Sequence, residues 1–268
     1  MLISSYKNNK IKALRSLYKK KYQRKKGEIV LEGIRIIEDA LAEGAKIKRV
    51  FYVKDLLEKN RAAKLINQLK ADNIELIAIT EELCDRVSDV ENSQGIIAVV
   101  KRPEYELKDL LKQEQKDTFL LIIDRLQDPG NLGTIIRTAD AAGVDGIIMT
   151  KGTVNFYNQK VIRATMGSLF RTPAVSVNEF DKLKEFLTKQ EVKLFATALE
   201  GEKNYFDADY TGNVALVVGN EAHGVRDELI ALADETIKIP LRGGAESLNA
   251  AIATAIVTYE GVKQRIDD

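Results

Sequence analysis

Apolar positions along the chain recur with the two-residue period of strands and the 3.6-residue period of helices, and the alternation predicts a run of elements. IVLEGIRIIEDALAEG reads as a short strand running into a helix that ends near Gly44. IKRVFYV is a strand, KDLLEKNRAAKLINQLKADN helical, IELIAI a strand, EELCDRVSDV a short helix and QGIIAVVK another strand. Strands and helices alternating at this spacing predict an α/β layer domain of about 100 residues. From Arg102 to Lys116 the pattern lapses into PEYELKDLLKQEQK, polar apart from one short helical turn, which predicts a linker. Beyond it TFLLIIDRL, VDGIIMT, VKLFATAL, NVALVVG and ETIKIPL are apolar throughout, as strands buried on both faces are. NLGTIIRTADAAG, FDKLKEFLTKQ and SLNAAIATAIVTYEGVKQRI are the helices between and after them. The expected organisation is an α/β domain over 1–102, a linker over 103–117 and a second α/β domain over 118–268. There is no internal repeat and no low-complexity segment.

Composition narrows the chemistry. The single Cys (Cys84) excludes an internal disulfide framework and a cysteine-based zinc site, and the single His (His223) excludes a multi-histidine metal centre. No metal is expected. MLISSYKNNK holds no apolar run suited to a signal peptide, and no window approaches the roughly 18 apolar residues of a membrane span, so a cytoplasmic protein is expected.

The 41 basic and 40 acidic residues nearly cancel, but their distribution is uneven. Ten basic residues and no acid lie between Lys7 and Lys26, which leaves 31 basic against 40 acidic, about −9, for the rest. A cationic segment on a mildly acidic body suggests a polyanion partner, with Lys19, Lys20, Lys21 and Arg24 at its centre. Tyr6, Tyr18 and Tyr22 interleave with these cations and are free either to stack on bases or to pack on the body. The plainer reading is an amphipathic helix with Ile11, Leu14, Leu17 and Tyr18 turned inward.

Three segments of the second domain share one plan: a buried strand ends in polar and glycine residues that lead into a helix, the place where open α/β sheets bind ligands. In LLIIDRLQDPGNLGTIIRTADAAG, Pro129-Gly130 is expected to turn and Asn131 to cap the helix. Leu132, Ile135, Ile136 and Ala139 form its core stripe, leaving Arg137 off the stripe and free to reach a phosphate or ribose. In ALVVGNEAHGVRDEL, Glu221 stands at the strand exit, and His223 reads as a hydrogen-bonded structural residue. In IKIPLRGGAESLNAAIATAIVTYE, Ser247 and Asn249 open an alanine-rich helix. There is no GxGxxG after a first strand, no GxxxxGK[ST] loop and no GxSxG elbow, which disfavours ordinary NAD and ATP sites and an α/β-hydrolase using His223.

QDPGNLGTIIRTADAAG, VVGNEAHGV and IPLRGGAESLNAAIA together closely resemble the three ordered motifs of the SpoU (TrmH-like) RNA 2′-O-methyltransferases of the SPOUT superfamily. KVIRATMGSLFRTPAV is similar to the family's connecting segment, and the N-terminal half resembles a substrate-binding domain related to ribosomal RNA-binding proteins. The resemblance implies S-adenosylmethionine as cofactor, a deep trefoil knot, and a homodimer whose active site is completed between subunits. It implies catalytic roles for Asn131, Arg137, Glu221, Ser247 and Asn249, with Thr197, Gly219, Ile239, Leu241 and Leu248 lining the cofactor. Ala222 departs from the family pattern, where many relatives have a second glycine. The implied function is methylation of a ribose 2′-hydroxyl in structured RNA, with 23S ribosomal RNA favoured over transfer RNA. The alternative is a non-catalytic RNA-binding or ribosome-assembly factor on the same fold.

Overall fold

The computed structural model describes residues 2–111 and 117–266, so residues 112–116 of the expected linker lie outside the described residues. The chain forms two compact units, 1–103 with 157–170 and 104–156 with 171–268.

The first unit opens with β1 (Leu2–Ile3), α1 (Asn9–Ser16) and α2 (Lys20–Lys26). It continues through β2 (Glu28–Glu32), α3 (Ile34–Ala42), β3 (Ile47–Val53), α4 (Asn60–Ala71), β4 (Glu75–Ile79), α5 (Glu81–Val87) and β5 (Ile96–Lys101). Its five strands form a mixed sheet in the order β1-β4-β3-β5-β2, with β5 antiparallel to both β2 and β3. The basic segment is two helices rather than one, because the chain breaks between Leu17 and Lys19; Asn8 caps the first helix and Gly27, at φ +60°, ends the second. Ile11, Leu14 and Leu17 pack into the core with Val30, Phe51 and Ile77, as the amphipathic reading predicts. Tyr6 lies between the guanidinium groups of Arg15 and Arg86, 3.8 and 4.2 Å from the ring centre. Tyr18 is largely buried and donates to Glu32 at 3.0 Å. Both rings are committed within the protein, and Tyr22 stays exposed. Glu32 also accepts from Ser88 Oγ and from the Asp89 N–H, which makes it a structural carboxylate.

The second unit holds β6 (Phe119–Ile123), α6 (Pro129–Ala141) and β7 (Gly146–Thr150). Next in the chain comes α7 (Gln159–Thr165), which belongs to the first unit. The second unit resumes with β8 (Ala174–Val177), α8 (Phe180–Lys189), β9 (Lys193–Thr197), β10 (Lys203–Asn204), β11 (Val214–Val218), α9 (Asp227–Ile230), β12 (Glu235–Lys238) and α10 (Ala250–Ile266). Seven strands form one sheet, β10-β12-β9-β11-β6-β7-β8, in which every pairing is parallel. Leu120 and Ile122 pack with Leu183, Leu187 and Leu194 on one face. The alternating Leu121 and Ile123 point to the other face and are equally buried, which is why these strands are apolar throughout.

Two stretches lie elsewhere than the boundaries drawn on the sequence. Tyr157–Phe170, expected in the second domain, joins the first unit: Gln159 donates to the Val30 carbonyl at 3.1 Å, and Gln23 to the Tyr157 carbonyl at 3.2 Å. Residues 104–111, expected as linker, join the second unit, where the short helical turn Leu107–Leu110 buries Leu110 in the core. A Cβ on Gly146 would lie 2.6 Å from Leu110 Cδ2, so the bare glycine makes room for that plug.

Candidate functional site

The chain leaves β6 toward β7 and β8, then resumes on the other side of β6 with β9 and inserts β11 between them. Such a reversal opens a crevice at the carboxyl ends of the strands. There β9, β11 and β12 run out into polar loops around a cavity of about 650 Å³. Thr197, Gly219, Ile239, Leu241 and Leu248 all line it, together with Ser247.

Three motifs meet at its rim through a chain of hydrogen bonds. Asn249 Nδ2 donates to Asn131 Oδ1 at 2.8 Å, and Asn131 Nδ2 donates to Glu221 Oε1 at 3.1 Å. Glu221 also accepts from the backbone N–H groups of Gln127 and Asp128, at 3.3 and 3.2 Å. Burial opposes its ionisation, but the Asn131 and backbone hydrogen bonds outweigh that, and the carboxyl is held below its usual range. Asn249 Oδ1 also accepts from the Ala251 N–H at 2.9 Å and so caps α10, while Ser247 lies in the loop before it.

Asn131 does not cap α6, as the sequence had suggested. Asp128 does, accepting from the Asn131 N–H at 2.7 Å, and Pro129-Gly130 forms the first helical turn instead of a separate turn. The Asp-Pro pair was the available signal, since proline is favoured at the first helical position after an acidic cap. With capping left to Asp128, the Asn131 side chain is free to bridge Glu221 and Asn249.

Arg137 stands apart from this chain. It is exposed on α6 and makes no hydrogen bond or ion pair with any described residue. Six residues beyond Asn131, it lies about 9 Å along the helix axis and roughly 120° around it. The His223 ring is likewise without a partner among the described residues, and only its backbone is held, donating to Asn220 Oδ1 at 3.1 Å. The Asn220–Gly224 turn is closed by two backbone hydrogen bonds of 2.9 Å, and Gly219 packs directly against the Gly224–Val225 backbone.

The cavity walls are apolar, with Ile230, Ile237 and Val257, and its charged lining residues are Glu200, Glu221 and Glu246. No Lys or Arg is among the lining residues. This donor set suits a partly apolar ligand carrying positive charge and rejects a polyphosphate.

In the first unit Lys19, Lys20, Lys21 and Arg24 are exposed on and just before α2 without acidic partners among the described residues. Partial burial, and after it the neighbouring Arg24, lower the Lys20 ammonium below its ordinary value. No helix among the described residues is long and apolar enough to cross a membrane.

Fold and site together define a two-unit α/β protein whose parallel-sheet unit carries a cavity for a cationic cofactor, closed by three polar loops. The chain belongs to the SpoU rRNA Methylase family, whose model matches residues 118–259; a second model, the MRM3-like substrate binding domain, matches residues 8–98. It is 37% identical to the Bacillus subtilis protein named 23S rRNA (guanosine(2553)-2'-O)-methyltransferase RlmP, over 96% of this chain and 97% of that one. It is similar in structure to the SpoU methyltransferase AviRb from Streptomyces viridochromogenes in complex with AdoMet, with a TM-score of 0.89 and 30% identity over 97% of this chain and 99% of that one. An AdoMet-bound rRNA methyltransferase from Sinorhizobium meliloti superposes with a TM-score of 0.84 at 33% identity, covering 98% of this chain and 97% of that one.

Proposed function

We propose that this chain transfers a methyl group from S-adenosylmethionine to a ribose 2′-hydroxyl of 23S ribosomal RNA. The observation that carries the reading is the joining of Asn131, Glu221 and Asn249, from three separate motifs, into one hydrogen-bonded rim on the acidic cavity. The cavity fits the cofactor, because sulfonium and ammonium charges suit carboxylate-lined walls and an adenine ring suits the apolar ones.

When bound, the cofactor supplies a methyl group already activated on a sulfonium. Thr197, Gly219, Ile239, Leu241 and Leu248 hold it, and the protein's remaining task is to place the hydroxyl and ease the loss of its proton. Asn131, fixed from both sides, orients the reacting group together with Ser247, and ionised Glu221 anchors Asn131 and the entry to α6. A guanidinium group serves as a cation and not as a general base. Arg137 therefore acts by gripping a flanking phosphate and by stabilising the negative charge that develops on the ribose oxygen.

The separation of Arg137 from the Asn131 rim is resolved in a homodimer in which Arg137 of the partner subunit completes the site. The surface of α10 supports this, since Ile252, Tyr259 and Ile266 are exposed along a helix packed against α6. A deeply knotted C-terminal chain accords with the insertion of β11 between β9 and β6. Lys19, Lys20, Lys21 and Arg24 supply sequence-independent attraction for RNA. Ribosomal RNA is favoured over transfer RNA because the Bacillus subtilis and Sinorhizobium meliloti relatives, similar over nearly the whole chain, carry ribosomal RNA in their names. The location that goes with that substrate is the cytoplasm.

The test is to map 2′-O-methylation over total ribosomal and transfer RNA in cells with and without the gene. One 23S site should vanish on deletion and return with the wild-type chain, but not with Arg137→Ala. No change at any site, with cofactor binding intact, would favour the non-catalytic RNA-binding alternative.

A further inference from the structure

At the exit of β6, Arg125 has φ +56°, a left-handed conformation that strains a residue with a side chain and that glycine adopts freely. The strain is held in place by neighbours. The Arg125 N–H donates to Thr150 Oγ1 at 3.3 Å, and its carbonyl accepts from Gln127 Nε2 at 3.1 Å and Asn220 Nδ2 at 2.9 Å. Gly152 lies alongside at φ +102°, where a Cβ would come within 3.2 Å of Arg125 Cγ, so its bareness makes room for the arginine stem.

The charges here do not balance. The fully buried carboxylate of Asp124 accepts from Arg226 Nε at 2.7 Å and from Arg125 Nε at 3.1 Å, so one anion faces two guanidinium groups. Arg226 uses its Nη2 on Asp124, Thr150 Oγ1 and the Lys151 carbonyl. Arg125 has both Nη groups without a partner among the described residues, on a side chain 35% exposed.

Arg125 lines an open hollow of about 810 Å³ whose wall, Asn220 to His223, also lines the cofactor cavity. The hollow's lining also holds two carboxylates, each with partners in the protein: Asp128 caps α6, and Glu221 accepts four hydrogen bonds. The charged hydrogen-bond donors left without a partner there, among the described residues, are the Nη groups of Arg125. A strained backbone that aims a free guanidinium fork into a hollow beside the methyl donor is suited to a phosphodiester, which guanidinium binds through two parallel hydrogen bonds.

We propose that Arg125 is an RNA-phosphate anchor, gripping the backbone beside the target nucleotide and so presenting its 2′-hydroxyl at the shared wall. This deepens the methyltransferase reading and rests on it. Arg125→Gly removes the guanidinium while giving the left-handed position to the residue that favours it, which offsets the loss of the Arg125–Asp124 pair, and Arg226 still holds Asp124, so the variant is expected to stay folded. Arg125→Lys, which keeps the charge and loses the fork, is the companion. The measurements are equilibrium binding of protein-free 23S rRNA as a function of salt, binding of S-adenosylmethionine, and the KM for RNA in methyl transfer.

Arg125→Gly should weaken RNA binding and raise its KM about ten-fold, and should flatten the slope of log affinity against log salt by roughly 0.7–0.9, the value of one phosphate contact. Arg125→Lys should keep the slope and lose part of the affinity, with cofactor binding unchanged in both. RNA binding and salt slope equal to the wild type in Arg125→Gly, or a loss confined to the cofactor, would overturn the proposal. A wild-type chain that binds RNA but never transfers a methyl group would overturn the function reading, and the salt slopes would still decide Arg125.

Discussion

Gly219→Ala puts a single methyl group where the β11 strand end turns back on itself. A Cβ there would lie 2.0 Å from Gly224 C, 2.2 Å from Val225 N and 2.3 Å from Gly224 O. Ordinary overpacking costs about 1–3 kcal/mol because side chains can shift. These obstacles are peptide atoms of a turn closed by the two Asn220–Gly224 hydrogen bonds of 2.9 Å, so the turn has to part. Adding two lost hydrogen bonds of about 1 kcal/mol each brings the cost to roughly 3–5 kcal/mol. For a unit of this size that is a fall in melting temperature on the order of 10 °C. The same opening displaces Glu221 from Asn131 and moves the wall of the cavity, so S-adenosylmethionine affinity should fall at least ten-fold. Gly243→Ala is the control, since a Cβ there meets nothing within 4 Å, and it should change stability by less than about 0.5 kcal/mol. Differential scanning calorimetry and isothermal titration with S-adenosylmethionine read both effects. A Gly219→Ala protein that melts within a degree of the wild type and binds the cofactor equally well would refute the reasoning.

Three further outcomes follow from the same geometry. Burial disfavours the Asp124 carboxylate, yet the hydrogen bonds from Arg226 and Thr150 hold its pKa below the ordinary value. Its stabilisation is therefore present at neutral pH and lost as pH falls from about 4 through that lowered value. Asp124→Asn should cost about 3–5 kcal/mol at pH 7 by removing the buried anion that Arg226 and Arg125 share, and should flatten the acid limb of a melting-temperature profile; an unchanged limb would contradict this. Neutralising Lys19, Lys20, Lys21 and Arg24 together should weaken RNA binding and flatten its salt dependence while leaving cofactor affinity intact, and undiminished RNA affinity in a filter-binding titration would count against the arm. Ile252→Glu with Tyr259→Glu should give a monomer by light scattering that binds S-adenosylmethionine but does not transfer methyl groups; a dimer that survives both changes would place the interface elsewhere.

The order and type of most elements are legible in the chain because burial of one face imposes a period on the apolar residues. The α10 periodicity, the strand runs of the second unit and the inward face of Ile11, Leu14 and Leu17 all follow from it. The three motifs were also legible, as was their grouping at strand ends. Strand order was not, because strands that are apolar on both faces, such as Val214–Val218, carry no mark of which neighbour they pair with. Nor was the membership of Tyr157–Phe170 or Leu110 in their units, since a Gln or a single Leu in a polar stretch shows its burial only when its distant partner is in place. The rim joins Asn131 to residues 90 and 118 positions away, and the left-handed Arg125 keeps its conformation through groups on β7 and the β11 turn. Local composition sets which faces are buried and where loops begin. Contacts between residues this far apart depend on the folded path of the chain, which alone determines which polar groups remain unpaired and face a ligand.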